Sequence, residues 1–130
     1  MRVVCLFILA YFMVVPGIAI AMMGGSAETI THLNAAMSIL EITMAEGKRG
    51  NAVEVSRLAN DAIAHTKEEI STMPSGPHGR QAIDMLYEAM ASLHDAVKVG
   101  NEGLARKATD YVSGALDFTD AAMGHVHHAH

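Results

Sequence analysis

Apolar residues recur at helical spacing along the chain after residue 26. The clearest stripe advances in alternating steps of four and three residues and comprises Leu104, Ala108, Tyr111, Ala115, Phe118 and Ala122. A stripe of this kind is typical of the seam of a helix bundle, whereas a half-buried strand would alternate apolar and polar residues strictly. The pattern therefore predicts helices, separated near the centre by a loop that contains Pro74 and Pro77.

Start and stop signals divide this region into four predicted helices. Gly47 and Gly100 are expected to stop the first and third helices. Asn51, followed by Glu54 three residues later, resembles the capping box that starts a helix. The predicted helices span residues 26–46, 51–71, 78–99 and 103–123.

The two halves of this region repeat with a shift of 53 residues. Leu33 and Leu40 superpose on Leu86 and Leu93, and the Gly-x-x-Gly turn at 47–50 superposes on that at 100–103. Any two amphipathic helices share leucines at helical spacing. Chance similarity of this kind does not predict that the same Gly-x-x-Gly turn follows both helices at the same distance. We therefore predict an all-α, antiparallel up-down-up-down four-helix bundle over residues 22–124, built from duplicated hairpins at about 26–71 and 78–123.

Residues 1–21 have the features of a secretory signal peptide. Arg2 precedes an apolar run from Val3 to Val15, and Ala19-Ile20-Ala21 is a cleavage site of small residues. Cleavage after Ala21 would give a periplasmic or secreted protein without a membrane segment, and residues 25–27 are a weaker cleavage site. The alternative is an uncleaved anchor, because the uncharged stretch Val3–Met23 is long enough to span a bilayer.

Charge, cysteine content and motifs exclude several functions. The chain has 9 Lys and Arg against 14 Asp and Glu, a net charge of −5, which disfavours nucleic acid as a partner. Its only cysteine, Cys5, lies in the predicted signal peptide, so the mature chain would have no disulfide and no thiolate metal site. Phosphate-binding, serine-hydrolase and zinc-protease motifs are missing from the sequence, so we do not expect an enzyme.

All eight histidines follow the predicted signal peptide, and four lie in the C-terminal tail, residues 125–130. Neutral imidazole is a common ligand of zinc, copper and nickel, so this tail is a candidate metal site; the alternative is a solvated tail without one. Up-down-up-down topology places the tail at the same end as the starts of helices 1 and 3. The predicted metal ligands are His32, His65, His78, His125, His127, His128 and His130.

The antiparallel register refines this picture. It sets His32 near His65 and His78 opposite the tail. His94 lies roughly 22 Å from this end of the bundle, along the third helix. Glu28, Asp61 and Glu69 are spaced so that they could complete or orient a site. We expect deletion of residues 125–130 to remove most of the affinity and to leave the helices intact, because the tail is predicted to lie outside the bundle. Binding should weaken below roughly pH 6.5, because a ligand imidazole must be neutral.

Three segments carry a resemblance to a known family: residues 93–103, their repeat at 45–50, and residues 58–67. Over residues 30–130 the chain resembles the periplasmic small metal-binding proteins. The resemblance implies a four-helix bundle that binds copper, nickel or zinc reversibly as a buffer or scavenger. His65 matches a family histidine, whereas other residues stand where the family pattern has histidine: Ser92, Val99, Tyr111 and Phe118.

Two alternatives remain open from the residues alone. The first is a structural or interaction bundle that binds no metal, although such a protein has no need of the His-rich tail. The second is a bundle that binds haem noncovalently through Met and His axial ligands, for which the available aromatic walls are Tyr87, Tyr111 and Phe118.

Overall fold

The computed structural model describes residues 25–128, and this part of the chain folds into four α-helices. They are α1 (Gly25–Lys48), α2 (Ala52–Thr72), α3 (Pro77–Asn101) and α4 (Ala105–His127). Each helix packs against the next in the chain, and α1 also packs against α4, which closes an antiparallel bundle. The predicted all-α four-helix bundle is therefore confirmed. The predicted signal peptide, residues 1–21, and His130 lie outside the described residues.

Leucine and alanine form most of the core. The largest apolar side chains that are fully buried are Leu33, Leu40, Leu86 and Leu93. Alanines fill much of the space between them and let the helices approach closely. None of the described helices has an apolar stretch long enough to cross a membrane.

The predicted seam of α4 is correct in its alanines and wrong in its first member. Ala108, Ala115 and Ala122 are completely buried, whereas Leu104 is 46% exposed. Leu104 precedes the first residue of α4 and belongs to the turn, so it cannot point along the seam. Tyr111 and Phe118 are half-buried and pack against the edge of the core.

The turns at 47–50 and 100–103 have the same geometry. Gly50 and Gly103 both have φ +80°, a left-handed conformation that favours glycine. In each turn the amide of the following residue donates to a carbonyl five residues earlier, Asn51 to Glu46 at 3.1 Å and Leu104 to Val99 at 3.0 Å. These bonds satisfy carbonyl groups at the end of the preceding helix. The duplication of the whole hairpin stays a prediction.

Two local predictions at these turns are wrong. Gly47 and Gly100 do not stop their helices but lie inside them, at close approaches to the side chains of Thr109 and Ser56. The second glycine of each turn ends the helix instead, because it adopts the left-handed conformation. Asn51 does precede α2, but its side chain caps no backbone amide and donates to the Glu46 carboxylate at 3.1 Å.

The fourth helix is longer than predicted. It continues past Met123 to His127, and the Val126 side chain is completely buried in a cluster with Leu33 and Leu86. Burial of this apolar residue keeps the last turn helical. The first residues of the tail therefore belong to the bundle rather than lying outside it.

Candidate metal centre

The candidate site lies where α1 begins and α2 ends. The Thr29 hydroxyl, which is buried, donates to the carbonyl oxygen of Thr72 at 2.8 Å and joins the two helices at this end. One turn further into the bundle, His32 on α1 lies beside His65 on α2. The antiparallel register predicted from the sequence had placed these two histidines together.

A carboxylate completes a three-residue cluster with the two imidazoles. One oxygen of Glu68, Oε2, lies 4.0 Å from Nδ1 of His32 and 3.9 Å from Nδ1 of His65. One possible ligand atom from each of the three residues lies within 4.8 Å of the other two. His65 and Glu68 are three residues apart on α2, a spacing that places their side chains on the same face.

The polar atoms of this cluster are incompletely satisfied by the protein. Nδ1 of His65 is buried and has no hydrogen-bond partner in the described part of the chain. Nε2 of His32 lies 3.8 Å from Oε1 of Glu28, so its two ring nitrogens face different carboxylates. A metal held by Nδ1 of His32 would leave Nε2 facing Glu28, the arrangement in which a carboxylate orients a ligand histidine.

The spacing of the donor atoms fits a transition metal after a small contraction. Ligand atoms in a tetrahedral zinc site lie about 2.0 to 2.1 Å from the metal, and hence roughly 3.4 Å from one another. The three donors are somewhat further apart than this. Glu68 is 63% exposed at its side chain and has room to move towards the imidazoles. Its negative charge would offset one charge of a divalent cation.

Glu69, the residue after Glu68, has a different environment. It is fully buried, and neither carboxylate oxygen has a hydrogen-bond partner among the described residues. Burial, assisted by the negative charge of Glu68, raises the pKa of Glu69 to about 8. This carboxyl group is therefore largely protonated at neutral pH in the metal-free protein.

The structure revises the predicted carboxylates. Glu28 faces His32 as expected, but Asp61 accepts a hydrogen bond from Arg57 at 3.0 Å instead of facing His65. Glu69 lies in the bundle interior and is not part of the three-residue cluster. The carboxylate that joins both histidines is Glu68, which the sequence analysis missed. The His-x-x-Glu spacing of His65 and Glu68 was the signal that could have identified it.

The other predicted ligands do not join this cluster. His78 at the start of α3 lies beside His125 near the end of α4, with their ring centroids 6.3 Å apart. His127 and His128 are exposed at the end of α4. The histidines thus form two groups, one on each hairpin, as the predicted register had indicated by setting His32 near His65 and His78 opposite the tail. His94 is exposed on α3, well along the helix from His78.

Comparison with known proteins assigns the chain to a family. The family model described as SMBP, small metal-binding protein, matches residues 1–122. Comparisons with curated proteins and with solved structures found no match. The matched range covers most of the chain and includes His32, His65 and Glu68. The chain therefore belongs to the small metal-binding protein family.

Proposed function

We propose that this protein reversibly binds a divalent transition metal ion through His32, His65 and Glu68, and acts as a non-catalytic metal buffer or scavenger. The observation that carries the proposal is the convergence of two imidazoles and one carboxylate from two helices, with donor atoms within 4.8 Å. The buried, unpartnered Nδ1 of His65 supports it, because such an atom is costly unless a ligand satisfies it.

Exposure of the cluster favours reversible binding. The side chains of His32 and His65 are 29% and 39% exposed, and Glu68 is more exposed still. Three protein ligands leave at least one coordination position for water or for an exchanging ligand. An ion held at such an open site can be released to a competing ligand, which is what a buffer requires.

The donor set limits the metal to a small group. Imidazole nitrogen suits zinc, copper and nickel, whereas magnesium and calcium prefer sites made of oxygen atoms. The cluster contains no thiolate, and the only cysteine of the chain is Cys5. We therefore propose Cu(II), Ni(II) or Zn(II) as the bound ion.

The proposed setting is an exported compartment, because residues 1–21 have the pattern of a secretory signal peptide. Intact-mass measurement of the protein recovered from its native host should give a chain that begins at Met22. A membrane-bound chain of full length would establish the anchor instead.

Substitution of the two histidines tests the site. Loss of a residue that merely orients a ligand typically costs about 10- to 100-fold in metal affinity. The His32→Gln/His65→Gln double variant should therefore lose at least that much affinity for Zn²⁺ at this site, measured by competition with a chromogenic chelator. His94→Gln, which changes an exposed histidine elsewhere on the bundle, is the matched control. Unchanged affinity in the double variant would exclude this cluster, and a wild-type protein without affinity for Zn²⁺, Cu²⁺ or Ni²⁺ would refute the function.

A further inference from the structure

The bundle holds a second group of imidazoles outside the proposed metal centre. The rings of His78 and His125 come from two different helices, and their centroids are 6.3 Å apart with planes inclined at 30°. In the described part of the chain, no carboxylate oxygen lies within 4.0 Å of a ring nitrogen of His78 or His125, in contrast to His32 and His65. The group therefore consists of imidazoles without an acidic partner.

The separation of the two rings matches the reach of one metal ion. With a metal–nitrogen distance of about 2.0 to 2.1 Å, the centre of a ligand imidazole lies roughly 3 Å from the ion. The centroids of two such rings on opposite sides of one ion are then roughly 6 Å apart. They are closer together when the nitrogen–metal–nitrogen angle is smaller. The observed 6.3 Å is at the outer edge of this range. The two rings are therefore near enough for one ion to be bound by both, once their side chains turn a nitrogen of each ring towards it.

The backbone on both sides of the pair is held in place. Pro77 starts α3, and Gly79 lies against the carbonyl of Pro74, where a Cβ atom would collide with the backbone. Loop and helix are thus in close contact around His78. On α4, the completely buried Val126 anchors the turn that carries His125. Neither histidine is on a free chain end, so the two rings are presented together by the fold.

The tail supplies a third imidazole on the same side of α4. His128 follows His125 by three residues, and the amide of His128 donates to the carbonyl of Gly124 at 3.3 Å, which extends the helical geometry to this residue. Residues three apart on a helix lie on one face, whereas residues two apart do not. His128 therefore lies on the same face of α4 as His125, whereas His127 does not. The ligand atoms of His78, His125 and His128 do not lie within 4.8 Å of one another in the described part of the chain, so these side chains must rotate to bind one ion together.

We propose that His78, His125 and His128 form a second metal site, separate from the His32, His65 and Glu68 cluster, that takes Cu(II), Ni(II) or Zn(II) through imidazole nitrogen alone. This inference extends the proposed function, because it makes the protein a carrier of two ions, one on each hairpin. The family match ends at residue 122 and does not include His125 or His128. The assignment rests on the geometry of the pair.

Counting bound ions tests the second site. Equilibrium dialysis of the tag-free protein against Zn²⁺, followed by metal analysis, should give two ions per chain. The His78→Gln/His125→Gln variant should retain one, and so should the His32→Gln/His65→Gln variant. The variant with all four substitutions should bind none at the same Zn²⁺ concentration. Substitutions are preferable to removal of residues 125–130, because removal would also take the buried Val126 from the core.

The two tail histidines provide a matched comparison. His128→Gln should weaken binding of the second ion at least tenfold, in line with the loss of a ligand, whereas His127→Gln should leave it unchanged. Nitrogen-detected NMR of the histidine side chains gives an independent measurement in the unmodified protein. Addition of Zn²⁺ should shift the ring signals of His78, His125 and His128 and leave those of His94 and His127 in place.

The outcomes separate this inference from the proposed function. Two ions retained by the His78→Gln/His125→Gln variant, or a single ion in the wild type that is lost with His32 and His65, would overturn the second site and leave the first intact. A single ion lost only with His78 and His125 would support the second site and refute the first. Folding of each variant is verified by its helical circular dichroism.

Discussion

We expect the metal-free protein to lose stability as the pH rises from about 5 to about 8, because the buried carboxyl group of Glu69 must then ionise in the core. Its pKa is raised from an ordinary value of 4.5 to about 8. Over this interval the folded chain holds a proton that the unfolded chain has lost. The free energy of unfolding therefore falls with rising pH, by on the order of 3 kcal/mol at pH 7 relative to pH 4.5 for this group.

Substitution of Glu69 by glutamine should remove this part of the pH dependence. Glutamine has nearly the same shape but cannot ionise, so Glu69→Gln should be more stable than the wild type at pH 8 and differ much less from it near pH 5. Urea unfolding of both proteins at several pH values, with a chelator present, measures the difference. Glu88→Gln, at an exposed position on α3, serves as the control and should follow the wild type. Parallel profiles for wild type and Glu69→Gln would contradict the expectation.

Truncation of Leu93 should destabilise the bundle by about 2 to 5 kcal/mol, the range measured for buried leucines replaced by alanine. Leu93 is completely buried in the same cluster as Leu40, Val55 and Val112. Many of its neighbours in that cluster are alanines, whose short side chains cannot reorient to fill a cavity. The loss in free energy of unfolding should therefore be well above the part that comes from removing the buried methylene groups from the core.

An exposed residue of the same size provides the control for Leu93. Ile42 on α1 is 55% exposed. Apart from the small difference in helix propensity between isoleucine and alanine, Ile42→Ala should change the free energy of unfolding by less than about 0.5 kcal/mol. Thermal or urea unfolding at pH 5 compares the two variants while Glu69 is largely protonated in the folded chain. An equal, small effect of both substitutions would show that the leucine layer contributes little to the stability of the bundle.

Sequence alone was sufficient for the architecture and for two histidine contacts, His32 with His65 and His78 with the tail. Helical periodicity and the glycine and proline breaks determine four helices, and short connections leave antiparallel packing as the simplest arrangement. Once the first turn is located, the register follows from counting residues, which is why His32 could be placed beside His65. The buried leucines also followed from their spacing, because a residue on the seam of an amphipathic helix has nowhere else to point.

Only the tertiary structure decided which acidic side chain joins the histidines. Glu68 and Glu69 are neighbours in the sequence, but a helix turns by about 100° per residue. One therefore faces the imidazoles and the other enters the core. The same packing drew Val126 of the tail into the bundle. These outcomes depend on which face of each helix meets which neighbouring helix. The periodicity of a single helix identifies its apolar face, but it does not identify the residues of other helices that pack along the borders of that face.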